Sequence, residues 1–216
     1  MDSRQWEGNY APAFAQGRER LSRLTPEQIV ESTLVRFESE KSCFYLESFG
    51  HAFEVSYPIG DVTFVASNLK PPIDWGLIVL NYLSGAKKIP LTGQWASYRD
   101  LPQGNVFFPA IRTHVHEVLA RFLADSDREI LRQTLLKLKF ELLQTKADIA
   151  ATALFTPRVP VLIQFWDGED EIPPSCQILF DSSIAEHMHI EDIAALCSVI
   201  KDLILRQYDA EVSMRL

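Results

Sequence analysis

The chain has 216 residues and a formal net charge of -8, with 47% hydrophobic and 23% charged residues. This length and composition predict a globular fold with a full-sized core and exclude a disordered chain. The acidic balance disfavours binding to nucleic acid or to an anionic membrane, because phosphate groups are bound by basic surfaces. Residues 1–24 lack the apolar centre of a secretory signal, and no apolar run is long enough to span a membrane, so we expect a cytoplasmic protein.

The first signals along the chain are helical. Aromatic residues recur at helical spacing within residues 1–24, which we assign to an N-terminal helical arm. Thr25 and Gln28 occupy the two positions of a capping box, which predicts the start of a helix. Residues 25–216 are assigned to a single domain.

Strand signals follow this helix. The runs 42–49, 52–57 and 62–66 are separated by short turns, which is typical of an antiparallel meander. The pattern of residues 71–85 predicts a helix, and that of residues 86–109 predicts an ordered loop.

In the second half of the chain, strands again follow strands and helices follow helices. A helix is predicted from about Pro109, and a second is predicted to be capped within Asp125–Asp127 and to run to about Gln144. The broad apolar set of the second helix favours burial on two sides or contact with a partner. The remaining predicted elements are strands at 149–155, 159–166 and 176–180 and a helix at 190–208. Strands that follow strands predict an α+β fold, with antiparallel sheets packed against helices in a single compact domain.

The first candidate for chemistry is an acidic loop. Asp167, Glu169 and Glu171 lie close together and are candidate ligands of a hard cation. The spacing is not that of an EF-hand, since Ile172 stands where the turn glycine is needed. The alternative is a solvated hairpin loop whose carboxylates remain in water.

The second candidate is a pocket for an anionic ligand. Arg99 has the planar guanidinium that recognises a carboxylate or phosphate, and aromatic residues supply amphipathic walls. The alternative is an internal clamp, in which Arg99 pairs with Asp181 or with the acidic loop. The candidate ligand-binding residues are Trp95, Tyr98, Arg99, Trp166 and Asp181.

The third candidate is a histidine pair. Residues two apart on a regular helix point in nearly opposite directions, which argues against chelation by His114 and His116. His187 and His189 precede a predicted helix, where an extended segment would place them on one side as candidate zinc or iron ligands. The alternative is a polar connector whose acidic neighbours stabilise the helix N-terminus.

Several stretches resemble a bacterial and archaeal family known as domain of unknown function 3786, and the resemblance covers most of the chain from about Asn9. They are Leu80-Asn81-Tyr82-Leu83, Leu91-Thr92-Gly93-Gln94-Trp95, Tyr98-Arg99-Asp100-Leu101-Pro102, Pro157-Arg158-Val159-Pro160-Val161, Trp166-Asp167-Gly168-Glu169-Asp170-Glu171-Ile172-Pro173, Ile178-Leu179-Phe180-Asp181 and Glu191-Asp192-Ile193-Ala194. The resemblance implies no known activity. It implies an origin in anaerobes and a setting near redox or cofactor metabolism, because some members carry a separate four-cysteine iron–sulfur module.

Three functions remain open at this point. No serine-nucleophile, phosphate-loop or zinc-protease motif is present, which favours a non-catalytic ligand-binding or accessory protein. The family resemblance implies that it serves a redox or metallocofactor system of the iron–sulfur or corrinoid type. The alternatives are a metal-dependent enzyme using the acidic loop and a structural protein-interaction domain, for which a homodimer is one form. Cys43, Cys176 and Cys197 are scattered, so we expect no disulfide framework and no iron–sulfur cluster held within this chain, although an iron–sulfur or other redox protein is a candidate partner.

Overall fold

The computed structural model describes residues 6–169 and 171–215 of the chain. The helices are α1 (Ala11–Ser22), α2 (Pro26–Thr33), α3 (Ile73–Gly85), α4 (Gly104–Ile111), α5 (Glu117–Asp125), α6 (Arg128–Lys137), α7 (Ile184–His187) and α8 (Ile190–Ser213). Single turns of 3₁₀-helix cover Gly8–Tyr10 and Tyr98–Asp100, and a π-helical turn covers Arg112–His116. The strands are β1 (Arg36–Glu38), β2 (Cys43–Ser48), β3 (His51–Ser56), β4 (Val62–Phe64), β5 (Trp95–Ser97), β6 (Glu141–Leu143), β7 (Ile149–Thr156), β8 (Val159–Trp166) and β9 (Ser175–Asp181).

The strands form two antiparallel sheets. The first has the order β1-β2-β3-β4, and the second has the order β5-β9-β8-β7-β6. The first is the predicted meander with β1 added at its edge. The predicted α+β fold with antiparallel sheets is confirmed. Within the described residues, no helix is long and apolar enough to cross a membrane.

The two sheets share one hydrophobic core, and Phe49 lies where they meet. Its backbone N–H donates to the Leu154 carbonyl of β7 at 3.5 Å. Its ring stacks on Phe140, with centroids 5.6 Å apart, and also contacts Phe155. All three rings are buried. The sheets are therefore joined by apolar packing in addition to this backbone hydrogen bond.

The N-terminal helix α1 packs against α3. Phe14 and Leu21 of α1 are fully buried in the same core as the sheets. Gly17 allows the close approach, because a Cβ atom at that position would lie 2.9 Å from the Leu80 side chain. A division of the chain after residue 24 stays a prediction, and the structure adds that α1 contributes to the main core.

Helix α2 begins with the predicted capping box. The Thr25 N–H donates to Gln28 Oε1 at 2.8 Å, and the Gln28 N–H donates to Thr25 Oγ1 at 3.3 Å. At the other end, Arg158 from the turn between β7 and β8 donates to the Ser32 carbonyl at 2.5 Å and to the Glu31 carbonyl at 3.2 Å. The same guanidinium donates to the Ile89 carbonyl at 2.8 Å, so it joins three segments of the chain.

Helix α6 is shorter than the sequence predicts. It begins after the expected cap Asp127, whose carboxylate accepts two backbone N–H bonds at 2.9 Å, but it ends at Lys137 rather than near Gln144. Lys139 has a φ of 60°, which turns the chain and buries Phe140 before β6 begins. The predicted broad apolar set is therefore divided between a helix, a buried turn and an edge strand. The predicted loop 86–109 likewise contains β5 and most of α4.

Candidate functional site

Asp181 at the end of β9 binds backbone and hydroxyl donors. One carboxylate oxygen accepts from the Thr92 N–H and hydroxyl, each at 3.0 Å, and the other accepts from the Gly93 N–H at 2.7 Å. Ser183 adds its N–H at 2.9 Å and its hydroxyl at 2.6 Å. Burial acts to raise the pKa of Asp181, but these hydrogen bonds together lower it to about 2. Asp181 is thus an ionised anchor that holds the 92–93 turn.

The predicted aromatic residues do not gather around a pocket. Trp95 lies opposite Asp181 in the β5–β9 ladder, but 44% of its surface is exposed. Tyr98 is fully buried, and its hydroxyl donates to the Ile190 carbonyl at 3.2 Å. Trp166 is half-buried at the end of β8, opposite Ser175. Of these three, Tyr98 has a structural role in fixing β5 to the start of α8.

The predicted pairing of Arg99 with Asp181 or with the acidic loop is not formed in the described ranges. The oxygens of Asp181 are occupied by Thr92, Gly93 and Ser183, and Arg99 forms no ion pair with any described carboxylate. Its guanidinium carbon lies 5.9 Å from the centroid of the Phe108 ring. Arg99 is therefore an exposed cation that packs on an aromatic ring.

The acidic loop forms a tight hairpin. Asp167 pairs with Arg128, and its N–H donates to the Asp148 carboxylate at 2.8 Å. Glu169 and Ile172 exchange two backbone hydrogen bonds, which leaves Glu171 exposed in the turn. Asp170 in the middle of this loop lies outside the described residues. The arrangement of the described part fits a solvated turn better than a cation cage.

The two predicted histidine ligands have different environments. His187 is buried at the end of α7, whereas His189 is exposed and caps α8 by accepting the Glu191 N–H at 3.4 Å. Across residues 6–169 and 171–215, no group of three or more His, Cys, Asp or Glu residues is arranged to hold a metal ion. The metal assignments to Asp167, Glu169, Glu171, His187 and His189 therefore stay predictions without a geometric site.

Arg99 lines a cleft of about 790 Å³ between the α4–α5 region and the start of β9. We call it the Arg99 cleft. The other lining side chains include Leu101, Phe108, Arg112, His116 and Cys176. Of its two carboxylates, Glu117 pairs with Arg112 at 3.3 Å, whereas Asp100 accepts from the neutral Ser97 hydroxyl at 2.7 Å and keeps its charge. Arg99 is left as the lining cation without a carboxylate partner among the described residues.

A π-helical turn forms one wall of this cleft. Pro109 lies inside α4 and has no N–H to donate, and the wider turn begins three residues later, where the Glu117 N–H donates to the Arg112 carbonyl. His116 at the end of this turn is 7% exposed, and its Nε2 has no hydrogen-bond partner in the part of the chain that the structure describes. Burial lowers the pKa of His116 to about 4, so the ring is neutral near pH 7.

A family model described as "Domain of unknown function (DUF3786)" matches residues 25–202. The chain belongs to this family. Every residue that lines the Arg99 cleft falls within the DUF3786 match. None of the curated proteins and none of the solved structures compared with the chain matches it.

The sequence predicts Arg99 as a candidate ligand-binding residue but does not predict the other residues that line its cleft. His116 was set aside because a regular helix separates residues two apart, and the π turn that buries it left no signal apart from Pro109. Arg112 and Phe108 carry no recognisable motif. The three cysteines are free and buried, and burial raises the pKa of Cys176, which lines the cleft, to about 12. Cys176 is thus an unreactive part of the wall.

Proposed function

We propose that this DUF3786 protein is a non-catalytic binding domain for a small organic anion, which occupies the Arg99 cleft. The observation that carries the proposal is the state of Arg99: it is a guanidinium at a concave surface, and no described carboxylate neutralises it. A guanidinium binds carboxylate and phosphate groups through two parallel hydrogen bonds, which gives both affinity and orientation.

The lining favours an anion with an apolar body. Leu101, Phe108, Ala120 and Cys176 supply apolar surface beside Arg99. Such a mixture of an apolar wall with a few polar groups is typical of small-molecule sites. His116 adds a polar side chain to this lining, and its buried Nε2 has no hydrogen-bond partner among the described residues.

The test is a binding series on the whole chain. Isothermal titration calorimetry with phosphate, succinate and octanoate separates charge from apolar contact. We expect octanoate to bind more tightly than succinate. Arg99→Ala should weaken binding by about 10-fold to 100-fold, since a hydrogen bond to a charged group contributes about 1.5 to 3 kcal/mol. Arg99→Lys should recover only part of this loss, because an ammonium group lacks the planar fork.

Arg132→Ala is the matched control, since Arg132 is an exposed helical arginine outside the cleft. It should bind all three anions as the parent chain does. Arg99 is exposed and contacts only one ring in the contacts described, so Arg99→Ala should fold normally by circular dichroism. Equal affinity of Arg99→Ala and the parent chain, or no binding of any anion, would overturn the proposal.

The cellular setting of the proposal is a redox or metallocofactor system of the iron–sulfur or corrinoid type. Its support is the family resemblance and the association of some members with an iron–sulfur module. Deletion of the gene should lower the activity of iron–sulfur or corrinoid enzymes in extracts of anaerobically grown cells. Unchanged activities would contradict this part of the proposal and leave the anion site standing.

A second candidate function, a protein-interaction domain, is favoured by the edge strand β6. Leu142 and Leu143 of this strand are exposed, as is Leu154 on the neighbouring strand. Apolar side chains at a sheet edge are a typical pairing surface. Light scattering of the full chain tests it: a dimer that Leu143→Lys converts to a monomer supports this function, and a strict monomer contradicts the homodimer form.

A further inference from the structure

A second cleft of about 790 Å³ lies between α1, α3 and the segment that joins α7 to α8. Helix α3 presents one face to it, with Asp74, Leu77, Ile78 and Asn81 at helical spacing. Asp192 in the first turn of α8 also lines the cleft, beside Asn81. We call it the Asp192 cleft. It shares no lining residue with the Arg99 cleft.

Asp192 is a half-buried carboxylate without a cationic partner among the described residues. Arg20 donates to Asn81 Oδ1 at 2.8 Å, and Asn81 Nδ2 donates to Asp192 Oδ1 at 2.9 Å, so a neutral amide separates the two charges. Burial raises the pKa of Asp192, although Asn81, His189 and Arg20 oppose this effect. A ligand cation in contact with Asp192 would relieve the cost of burying the carboxylate.

His187 is the second, independent sign of a ligand in this cleft. It lines the cleft with only 2% of its surface exposed, and neither ring nitrogen meets hydrogen-bond geometry with any described residue, the Lys87 carbonyl included. Burial and the nearby Arg158 lower the pKa of His187, so the ring is neutral, although Asp181, Glu186 and the Lys87 carbonyl act in the opposite direction. A neutral imidazole has one acceptor nitrogen, which fits an N–H donor.

The charges of the lining point the same way. Four carboxylates and two cationic side chains face this cleft. Lys87 is already paired with Glu186 at 2.7 Å, and Arg20 is turned to Asn81. Asp74 and Asp192 are thus left without an ion pair in the described part of the chain. The resulting negative potential favours a cation over an anion.

We infer that the Asp192 cleft binds an aliphatic amine, with the ammonium group on Asp192 and the hydrocarbon part on Leu77 and Ile78. His187 accepts a hydrogen bond from an N–H of the ligand. The competing explanation is that Asp192 only stabilises the N-terminus of α8, where a negative charge is favourable. The two explanations differ in what removal of the charge does to amine binding.

The test is calorimetric titration of the full chain with 1,4-diaminobutane and with spermidine, and 1,4-butanediol is the uncharged analogue. We expect both amines to bind and the diol not to bind. Asp192→Asn keeps the shape of the side chain and should weaken amine binding by about 10-fold or more, because it removes a charge-assisted contact. Asp209→Asn is the matched control, an exposed aspartate on the same helix, and should bind amines normally.

A second variant keeps the test decisive if Asp192→Asn folds poorly. Ala195 lines the cleft one helical turn after Asp192, so Ala195→Lys places a tethered ammonium beside an intact carboxylate. This variant should fold and should lose amine binding by competition. Absence of amine binding to the parent chain, or unchanged binding in both variants, would overturn the inference. Anion binding at Arg99 is measured separately, so the two proposals fail independently.

Discussion

The Arg99 cleft and the Asp192 cleft resemble each other in size but differ in the sign of their unpaired charge. Each has a volume of about 790 Å³ and a buried histidine with an unpartnered nitrogen. In the first cleft an arginine lacks a carboxylate, and in the second an aspartate lacks a cation. The net charge of -8 therefore does not decide what each surface binds.

The difference arises from the neighbours of each charged group. In the Arg99 cleft, Arg112 forms an ion pair with Glu117, and Asp100 accepts a hydrogen bond from the neutral Ser97 hydroxyl. In the Asp192 cleft it is the cationic side chains, Lys87 and Arg20, that are engaged. Among the described residues, the ion pairs within each cleft leave Arg99 without a carboxylate and Asp192 without a cation.

The largest effect is expected from removal of the Asp181 carboxylate, which helps to position the segments that line both clefts. Asp181 anchors the turn before β5, which leads to Arg99, and binds Ser183, which leads to α7 and His187. Asp181→Ala leaves the buried N–H and hydroxyl of Ser183 and the partly buried donors of Thr92 and Gly93 without this acceptor, so we expect the free energy of unfolding to fall by about 3 kcal/mol. Urea unfolding measures it, with Asp209→Ala as control. A loss below about 1 kcal/mol would show that the two clefts are positioned by other contacts.

The next effect is the pH dependence of stability that the buried His116 gives to the Arg99 cleft. The folded pKa of His116 is about 4 and its ordinary value is 6.5, so the unfolded chain takes up the proton first as the pH falls. Its contribution to stability is complete above pH 6.5 and is lost progressively down to about pH 4, by up to about 3 kcal/mol. His116→Leu should remove this part of the pH dependence in urea unfolding. His114→Leu, at an exposed position, should retain it, and equal curves for both variants would contradict the assignment.

A smaller and more selective effect separates the two sites. Arg99→Ala should weaken anion binding by at least about 10-fold and leave amine binding unchanged, while Asp192→Asn should do the reverse. No lining residue is shared, so the structure gives no reason for cross-effects. Calorimetry of both variants with octanoate and spermidine makes the comparison. Loss of both ligands in either variant would indicate a single coupled site.

The smallest effect tests whether the Arg112–Glu117 ion pair lowers the affinity of the Arg99 cleft for anions. Glu117→Gln breaks an exposed ion pair, so the free energy of unfolding should change by less than about 0.5 kcal/mol. The same change leaves Arg112 unmatched beside Arg99, and anion affinity should rise by a few-fold, by roughly 0.5 to 1 kcal/mol. Asp125→Asn serves as the control, and unchanged anion affinity in Glu117→Gln would contradict the argument.

Much of the fold was predictable because its signals are local. The Thr25–Gln28 capping box lies within four residues, and the hairpin strands β2 and β3 follow each other directly. The end of α6 was not predictable, because the left-handed Lys139 is fixed by the burial of Phe140 against Phe49, a contact between distant segments. Tertiary packing decided where that helix ends.

The candidate site shows the same limit. Charged side chains were easy to find, but the partners of Asp181 are backbone N–H groups and hydroxyls of Thr92, Gly93 and Ser183, which no pattern of opposite charges predicts. The expected pairing of Arg99 with Asp181 is therefore absent, and the arginine is available for a ligand. Asn81 and Asp192 belong to the stretches that resemble the family, yet only the packing of α3 against α8 brings them together.

The carboxyl end of α2 depends on Arg158, a residue that is synthesised much later. Arg158 completes the carboxyl end of α2 across 126 residues of sequence, through the carbonyl of Ser32. Before the β7–β8 turn is synthesised, the carbonyl groups at the end of α2 accept hydrogen bonds from water instead. During synthesis the carboxyl end of α2 therefore lacks this donor until Arg158 has left the ribosome, roughly 6 to 25 s after Ser32 at typical elongation rates.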